Sequence, residues 1–570
     1  MIASFLSILL IVATASRADT MEKLPALLQE RGAEFVSAAR AEDDTVSTVV
    51  FQRYVAALVS DLRDNGNRKI AERVVRAFSK SDTMLFSRTD AAWIVHTFAS
   101  EFYGDDIIRA TSRLIRFRTF RGDVPNRLNP AFVQQRQFLD SLARALELNV
   151  LDHDGYVQEI WIGEGEETFG LMTHGDVQPV DSSSWSVNPW QGLVRDEKIW
   201  GRGAMDDKSP VVAIMYGMRA ILDSGLPLRR RVVLLIGSDE ESDNTDLDAY
   251  LKDNLPPDHT VVVDMRYPVI SAEKGWCGAR IELPRTTTNS DGRYFQVVRM
   301  EAGNSWSVTP GRATAWLTTV GLEPEATGQY LQSLTGNFVH DHPGTNVTVE
   351  TSGDTVIVVA LGRSVRTSVP DEGRNALTDL AVFLDRYAHP FLNEYALMAR
   401  FLSRDIGYEF DGKTLGIAHV DPFMGSVSVA PCVMTATDST VMVMYNVRIP
   451  RGISTDSLRQ ALQSAYEQFD RDNGVTLRTH DYCTEPHYVD PSDPFVRDLV
   501  RIFNEITGED RTAGSMSGVT YAHRLPNAVA FGPAMPEDEY TGHTANEYIS
   551  LPTLVHNIEI LTHTMVEFGM

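Results

Sequence analysis

Four short apolar runs in this 570-residue chain each lead to a residue that can carry protons or bind metal. Phe169–Thr173 runs into His174-Gly175-Asp176, Val232–Ile236 into Gly237-Ser238-Asp239-Glu240-Glu241, and Thr260–Val263 into Asp264. Ala528–Phe531 leads through Gly532-Pro533 to His543. A further source of acid is the glycine-rich stretch Gly201-Arg202-Gly203-Ala204-Met205-Asp206-Asp207-Lys208. Each feature alone is weak, because a histidine at a strand end is usually structural and paired glutamates are usually solvated. Brought together, such carboxylates repel one another unless a cation neutralises them. Two imidazoles and several carboxylates without a thiol suit Zn²⁺, with Mn²⁺ or Co²⁺ as alternatives. Two ions about 3.5–4 Å apart, sharing a carboxylate and a water, form a hydrolytic clamp. Of the neighbours Glu240 and Glu241, one can then hold metal while the other acts as general base. Asp176, two residues from His174 in extended chain, can sit behind the site and orient a ligand.

These residues meet only if the runs are neighbouring strands of one sheet. From about residue 100 the chain alternates short apolar runs with helical stretches such as Val211–Leu222, which reads as α/β with a mostly parallel sheet. In such sheets ligands bind beyond the carboxyl ends of the strands, where all of these side chains lie. Residues 277–483 carry their own elements, among them Thr355–Leu361, Val441–Val447 and the amphipathic Leu458–Phe469. They read as an α+β domain inserted into the first. The expected division is 101–276 plus 484–570 for the catalytic domain, 277–483 for the insertion, and 19–100 for a helical N-terminal extension. In that extension Phe51, Tyr54, Val55 and Leu58 recur at helical spacing, Asn65-Gly66-Asn67 breaks the pattern, and Asp90 reads as an N-cap.

Composition narrows the function. The 52 basic and 77 acidic side chains give 52 − 77 = −25, and no basic block interrupts that balance, so a phosphate-tracking nucleic-acid partner is not expected. Cys277, Cys432 and Cys483 lack the spacing of a thiolate cluster, and one disulfide is left open. Met1 to Ala15 is apolar and uncharged, and Ser16-Arg17-Ala18 fits a signal-peptidase cut after Ala18. The expectation is export to a periplasm or the extracellular space, with residues 1–18 removed and no stable membrane insertion, since spanning takes about 20 apolar residues.

The segments "THGDVQPV", "WGRGAMDDKSP", "GSDEES", "DMRYPVISAEKG", "YNVRIP", "GVTYAH", "NAVAFGPAMP" and "HTANEYIS" resemble, in order and spacing, the M20 family of di-zinc metallopeptidases. The resemblance is strongest to its dipeptidase branch of PepV-type and carnosinase-like enzymes, and it covers the chain from about residue 100. It implies two Zn²⁺, one held by His174 and Asp264 and the other by Glu241 and His543. Asp206 would bridge them, with Asp207 its nearest rival. Glu240 would be the general base and Asp176 its partner behind the metals. The insertion would be a lid, with Arg448 contacting substrate and Gly518, Thr520 and Tyr521 cradling its carboxylate. Two lid positions depart from the family pattern. Arg366 stands where a histidine polarises the scissile carbonyl, and Ser307 stands where an asparagine is usual. A guanidinium can still donate to a developing oxyanion, and His340 or His342 could substitute in a rearranged lid.

Other motifs fail. Gly163-Glu164-Gly165 is no dinucleotide loop, Gly514 to Gly518 has Met516 where a nucleophile elbow needs serine, and no P-loop is present. The sequence therefore points to an exported dipeptidase using hydroxide held between two metals, acting on short peptides as a monomer or homodimer. The alternatives are an N-acyl-amino-acid deacylase and a metal-binding homologue that the altered lid residues leave with little or no catalysis.

Overall fold

The computed structural model describes residues 23–40, 46–78, 88–285 and 292–570. The expected leader at 1–18 lies outside the described residues. The chain forms two compact units, one of residues up to 271 with 489–514 and 520–570, the other of 272–488 with 515–519.

The first unit opens with helices α1 (Lys23–Arg40), α2 (Ser47–Asp64), α3 (Arg68–Phe78) and α4 (Arg88–Leu114). The stripe foreseen in α2 is buried through Phe51, Tyr54 and Leu58, and Asn65–Asn67 separates α2 from α3. Asp90 is not an N-cap. It lies inside the first turn of α4, buried, with its carboxylate paired to Arg73. That ion pair, formed with α3, outweighs the local capping signal. α4 runs through residue 100 without a break, so the helical N-terminal segment and the catalytic part share one helix.

The elements α5 (Pro130–Ala145), β1 (Asn149–His153), β2 (Val157–Ile162), β3 (Thr168–His174), α6 (Lys208–Ser224), β4 (Arg231–Gly237), α7 (Thr245–Asp253), β5 (His259–Val262) and β6 (Ile270–Glu273) follow. The chain then builds the second unit. Strands β7 (Gly275–Pro284), β8 (Tyr294–Ala302), β9 (Arg312–Val320), β10 (Asn346–Ser352), β11 (Thr355–Leu361), β12 (Ser428–Ala436), β13 (Thr440–Ile449) and β14 (Arg478–Cys483) form one antiparallel sheet in the order β10-β11-β9-β8-β12-β13-β7-β14. One face carries α8 (Pro324–Asp341), α9 (Ala376–Phe383), α10 (Glu394–Phe401) and α11 (Thr455–Asn473) over a core that includes Ile281, Leu331, Phe338, Phe383, Tyr445 and Leu458. Cys277 and Cys483, opposite each other on β7 and β14, form a disulfide, and Cys432 is a buried free thiol.

The return segment adds α12 (Pro494–Thr507), β15 (Ala528–Ala530) and α13 (Leu551–Gly569) to the first unit. Its sheet runs β1-β2-β4-β3-β5-β15-β6, and the four central strands β4, β3, β5 and β15 are parallel. These are the four apolar runs of the sequence. Their interiors are buried on both faces, as continuous apolar strands of parallel sheets require, and α4, α6 and α13 pack against one another. Register sets the site: His174 pairs with Gly237, and Met172 and Ala530 each pair with Val262, so the carboxyl ends of all four strands share one rim.

Candidate metal centre

His174, at the end of β3, is completely buried. Its Nδ1 donates to the carbonyl oxygen of Asp176 at 3.0 Å, which leaves the Nε2 lone pair facing the rim. There Nε2 lies 3.0 Å from Asp206 Oδ1 and 3.8 Å from Asp264 Oδ1. The other oxygen of Asp206 lies 3.1 Å from His543 Nε2, and that nitrogen is 2.9 Å from the Glu241 carboxylate. One carboxylate thus links two imidazoles, one oxygen to each. His543 takes a left-handed backbone conformation (φ 65°), uncommon for a side-chain-bearing residue and tolerated where the surroundings hold it.

Two donor groups emerge, each with its atoms within 4.8 Å of one another: His174, Asp206 and Glu241, and His174, Glu240 and Asp264. His174 Nε2 and Asp206 Oδ1 are buried and face each other, yet neither makes a hydrogen bond of acceptable direction. A buried lone pair and a carboxylate oxygen so placed fit a shared divalent cation. The electrostatics agree. Burial works against a charged His174, but the neighbouring carboxylates of Asp176, Asp206 and Asp264 hold its pKa well above the usual imidazole value. Burial likewise opposes charge on His543, and Asp206 and Glu241 reverse that effect. Burial and the charge of Asp206 push Asp264 up to about 7, while burial and Asp264 push Glu240 well above the carboxylate range. Without a metal this rim stores protons among crowded carboxylates, and a divalent ion would displace them.

The loop after β4 is held from two sides. The carboxylate of Asp176 accepts the backbone N–H of Glu240 at 3.3 Å and of Glu241 at 3.0 Å. From α7, Asp246 Oδ2 accepts the N–H of Ser238 at 2.5 Å and of Asp239 at 2.9 Å, together with the hydroxyl of Tyr521 at 2.5 Å. Gly237 makes this packing feasible, because a Cβ there would stand 2.0 Å from the Tyr521 oxygen and 2.6 Å from Asp246. Tyr521 is fully buried, so its phenol serves this loop and is not open to a substrate carboxylate.

Asp206 is held in the same manner. A small antiparallel sheet of Leu193–Arg195, Lys198–Trp200 and Tyr548–Ser550 delivers Glu547, whose Oε1 accepts the N–H groups of Gly203, Met205 and Asp206. Its other oxygen accepts from Arg202 at 2.6 Å. Tyr540 donates to Asp206 Oδ2 at 3.0 Å, and Gln178 donates to Glu241 at 2.8 Å. Asp207, the rival bridge, accepts the N–H of His174 and is kept out of both donor groups. Lys208 donates to the carbonyls of Leu114 and Phe117, and burial pulls its ammonium down to about 7. Glu547, Tyr540, Gln178 and Asp246 carry no spacing signal of their own. Glu547 is marked by its position in "HTANEYIS" and Gln178 by its position in "THGDVQPV".

The remaining expected residues divide between the units. Ser307, Arg366 and Arg448 belong to the second, as does Gly518, while Thr520 and Tyr521 belong to the first. Within the second unit Ser307 and Arg366 meet: the Ser307 carbonyl accepts the N–H of Thr367 at 2.9 Å, and Val308 and Arg366 form an isolated bridge. Thr520 caps the short turn 521–524 through its side chain.

Residues 170–567 match the description of peptidase family M20/M25/M40. A β-Ala-Xaa dipeptidase of Lactobacillus delbrueckii subsp. lactis is 30% identical over 420 residues, covering 72% of this chain and 84% of that protein. Human carnosine dipeptidase 1 shares the fold with a TM-score of 0.51 at 14% identity, over 84% of this chain and 98% of that one. Aminopeptidase PepT of Bacillus cereus does so with a TM-score of 0.50 at 12% identity, over 82% and 99%.

Proposed function

Because this chain belongs to peptidase family M20/M25/M40, we propose that it is an exported dipeptidase using two divalent ions, Zn²⁺ foremost, to hydrolyse the peptide bond of short peptides. The observation that carries the reading is Asp206, with one oxygen at His174, the other at His543, and Glu240 beside them. His174 and Asp264 would hold one ion, Glu241 and His543 the other, and Asp206 both. The ions supply Lewis acidity for the peptide carbonyl and lower the pKa of water. Glu240 takes the proton as the water oxygen bonds to the carbonyl carbon, and gives it to the nitrogen as the C–N bond breaks. Asp176 fixes the tautomer of His174 and the direction of the Glu240-Glu241 backbone. In the second unit, Arg448 would take the peptide's carboxylate, and Arg366 with Ser307 would donate to the developing oxyanion. The family resemblance also gives Gly518 and Thr520 a part in holding the carboxylate.

Export is supported by the apolar, uncharged Met1 to Ala15 and by the Cys277–Cys483 disulfide, a bond that persists in oxidising compartments. Among the described residues no helix is long and apolar enough to cross a membrane. The test is chelation followed by metal restoration, assayed on free dipeptides beside N-acetyl amino acids. Dipeptide turnover should vanish with the metal and return with Zn²⁺, Mn²⁺ or Co²⁺. Turnover confined to N-acetyl amino acids would replace the reading with deacylation, and metal uptake without turnover would leave a binding protein.

A further inference from the structure

Arg448 and its neighbours define a feature that the hydrolytic chemistry does not use. Arg448 on β13 stands directly opposite Trp276 on β7, and Asn446 stands opposite Gly278. Directly paired residues of antiparallel strands share a face, so these four lie together on the side opposite the core, which takes Cys277, Ala279, Tyr445 and Val447. Gly278 is also opposite Tyr482 on β14. Above Gly278 the indoles of Trp276 and Trp306 meet edge to face at 6.2 Å, and Tyr482 stands 5.6 Å from Trp276. The glycine is what admits them, since a Cβ there would come within 2.9 Å of Trp276 and 3.2 Å of Trp306. Trp306 is fixed from its backbone, its carbonyl accepting from Asn446 at 3.2 Å and from Thr367 at 3.1 Å. Three aromatic rings, one of them 60% exposed, thus form a braced cluster on the open face of a sheet.

The cluster borders two cations. The Arg448 Nε is buried with no hydrogen-bond partner, and burial alone lowers its guanidinium to about 10. Lys274, itself buried, donates to the carbonyl of Ser426 at 2.6 Å and is lowered by burial and by the charge of Arg448, against which the Asp371 carboxylate works only in part. Two desolvated cations that repel each other are relieved by an anion. Those same charges disfavour a cationic group over the rings. A carboxylate at Arg448 would place the side chain of its own residue next to the partner strand, against Trp276.

We propose that Trp276, Trp306 and Tyr482 select the C-terminal residue of the substrate, favouring dipeptides that end in an aromatic or large aliphatic side chain. This rests on the dipeptidase reading and on Arg448 as the carboxylate anchor. The rings supply apolar area and edge-to-face partners for a phenyl or isobutyl group, whereas glycine gains nothing there and a second carboxylate must be desolvated.

The experiment measures kcat/KM of the metal-loaded protein for Ala-Phe, Ala-Leu, Ala-Gly and Ala-Asp, in the native chain and in W276A, W276F and W306A. The native chain should prefer Ala-Phe and Ala-Leu to Ala-Gly by about tenfold or more, the range an apolar pocket gives. W276A and W306A should erase most of that ratio, and W276F should keep it. The ratio between substrates does not depend on the fraction folded, so a destabilised variant still reports. A native chain indifferent to the C-terminal residue, or variants that lower Ala-Phe and Ala-Gly equally, overturns the proposal. If the native chain cleaves no dipeptide, the dipeptidase reading falls. Calorimetric titration with L-phenylalanine against glycine then decides the surface by itself: phenylalanine binding that W276A removes sustains it, and equal binding overturns it.

Discussion

Asp206 and Glu240 lie on the same rim but should fail differently when removed. Asp206 reaches both imidazoles, so Asp206→Ala takes a ligand from each proposed ion and leaves His174 and His543 without their common counter-charge. Glu240 lies beside Asp264 and His174, and in the proposed mechanism its task is the proton. Glu240→Ala should keep close to the native metal content while kcat drops by about 10²–10⁴, the span of a general base. Asp206→Ala should lose metal and rate together. Metal analysis of both purified variants beside their dipeptide kinetics separates the roles, and a metal-free Glu240→Ala would make that residue a ligand. Glu240 was legible because it follows an apolar run, and the rim of a parallel sheet collects such ends, whereas Asp206 was marked by its glycine-rich stretch and by the family resemblance. The roles of Glu547, Tyr540 and Gln178 were not legible, because their importance lies in hydrogen bonds that span from 63 residues, for Gln178 to Glu241, up to 345, for Arg202 to Glu547. Nothing in their immediate neighbours encodes those partners.

Between β4 and α7 the chain has no regular structure, and the loop that carries both glutamates is shaped by side chains brought from elsewhere. Asp176 comes from the end of β3, Asp246 from the first turn of α7, and Tyr521 from the return segment. Burial pushes Asp246 up to about 6, and its hydrogen bond from Tyr521 works in the opposite direction, helping to keep a carboxylate that can accept both loop N–H groups. Tyr521→Phe removes that donor with little change of shape. Stability should fall by about 1.5–3 kcal/mol, the usual cost of a buried hydrogen bond to a charged group, and kcat by about tenfold as the Glu240 backbone loosens. Metal content and KM should stay near native, because no proposed ligand is touched. Urea denaturation and steady-state kinetics on one preparation read both quantities, and a kcat equal to native would show that Asp176 and Asp246 hold the loop unaided. The pattern "GVTYAH" marked Tyr521 as a residue of the site, but a linear motif does not state which way a ring points. The packing around Gly237 decides that. Strands β3, β4, β5 and β15 were readable for the opposite reason, since burial on both faces leaves each as an uninterrupted apolar run.

At the scale of the molecule, the N-terminal helices belong to the largest of the buried apolar clusters. Leu24, Leu28, Phe35, Phe51, Tyr54, Leu58 and Val74 join the apolar cluster that also holds Phe98, Val212 and Leu561 under the catalytic sheet. α4 shows what those helices cover: Asp90 to Ser100 is buried without interruption, and the Phe51 ring meets Phe98 edge to face at 4.9 Å. A helix that stood at the surface would be exposed along one side. The sequence showed helical periodicity here without chemistry, which reads as an appendage, because periodicity reveals that a face is apolar and not how large a core it completes. Each large apolar side chain stripped from that cluster is worth about 1.5–3 kcal/mol of burial, so losing seven exceeds the 5–15 kcal/mol that holds an ordinary domain together at the lower end of that range. A chain beginning at Arg88 should therefore be insoluble or lack a cooperative thermal transition, although every proposed ligand and the whole second unit are retained. Expression and calorimetry of that truncation give the answer. A soluble, metal-binding, cooperatively melting product would show that α4 can close the core alone and that the first three helices serve some purpose other than folding.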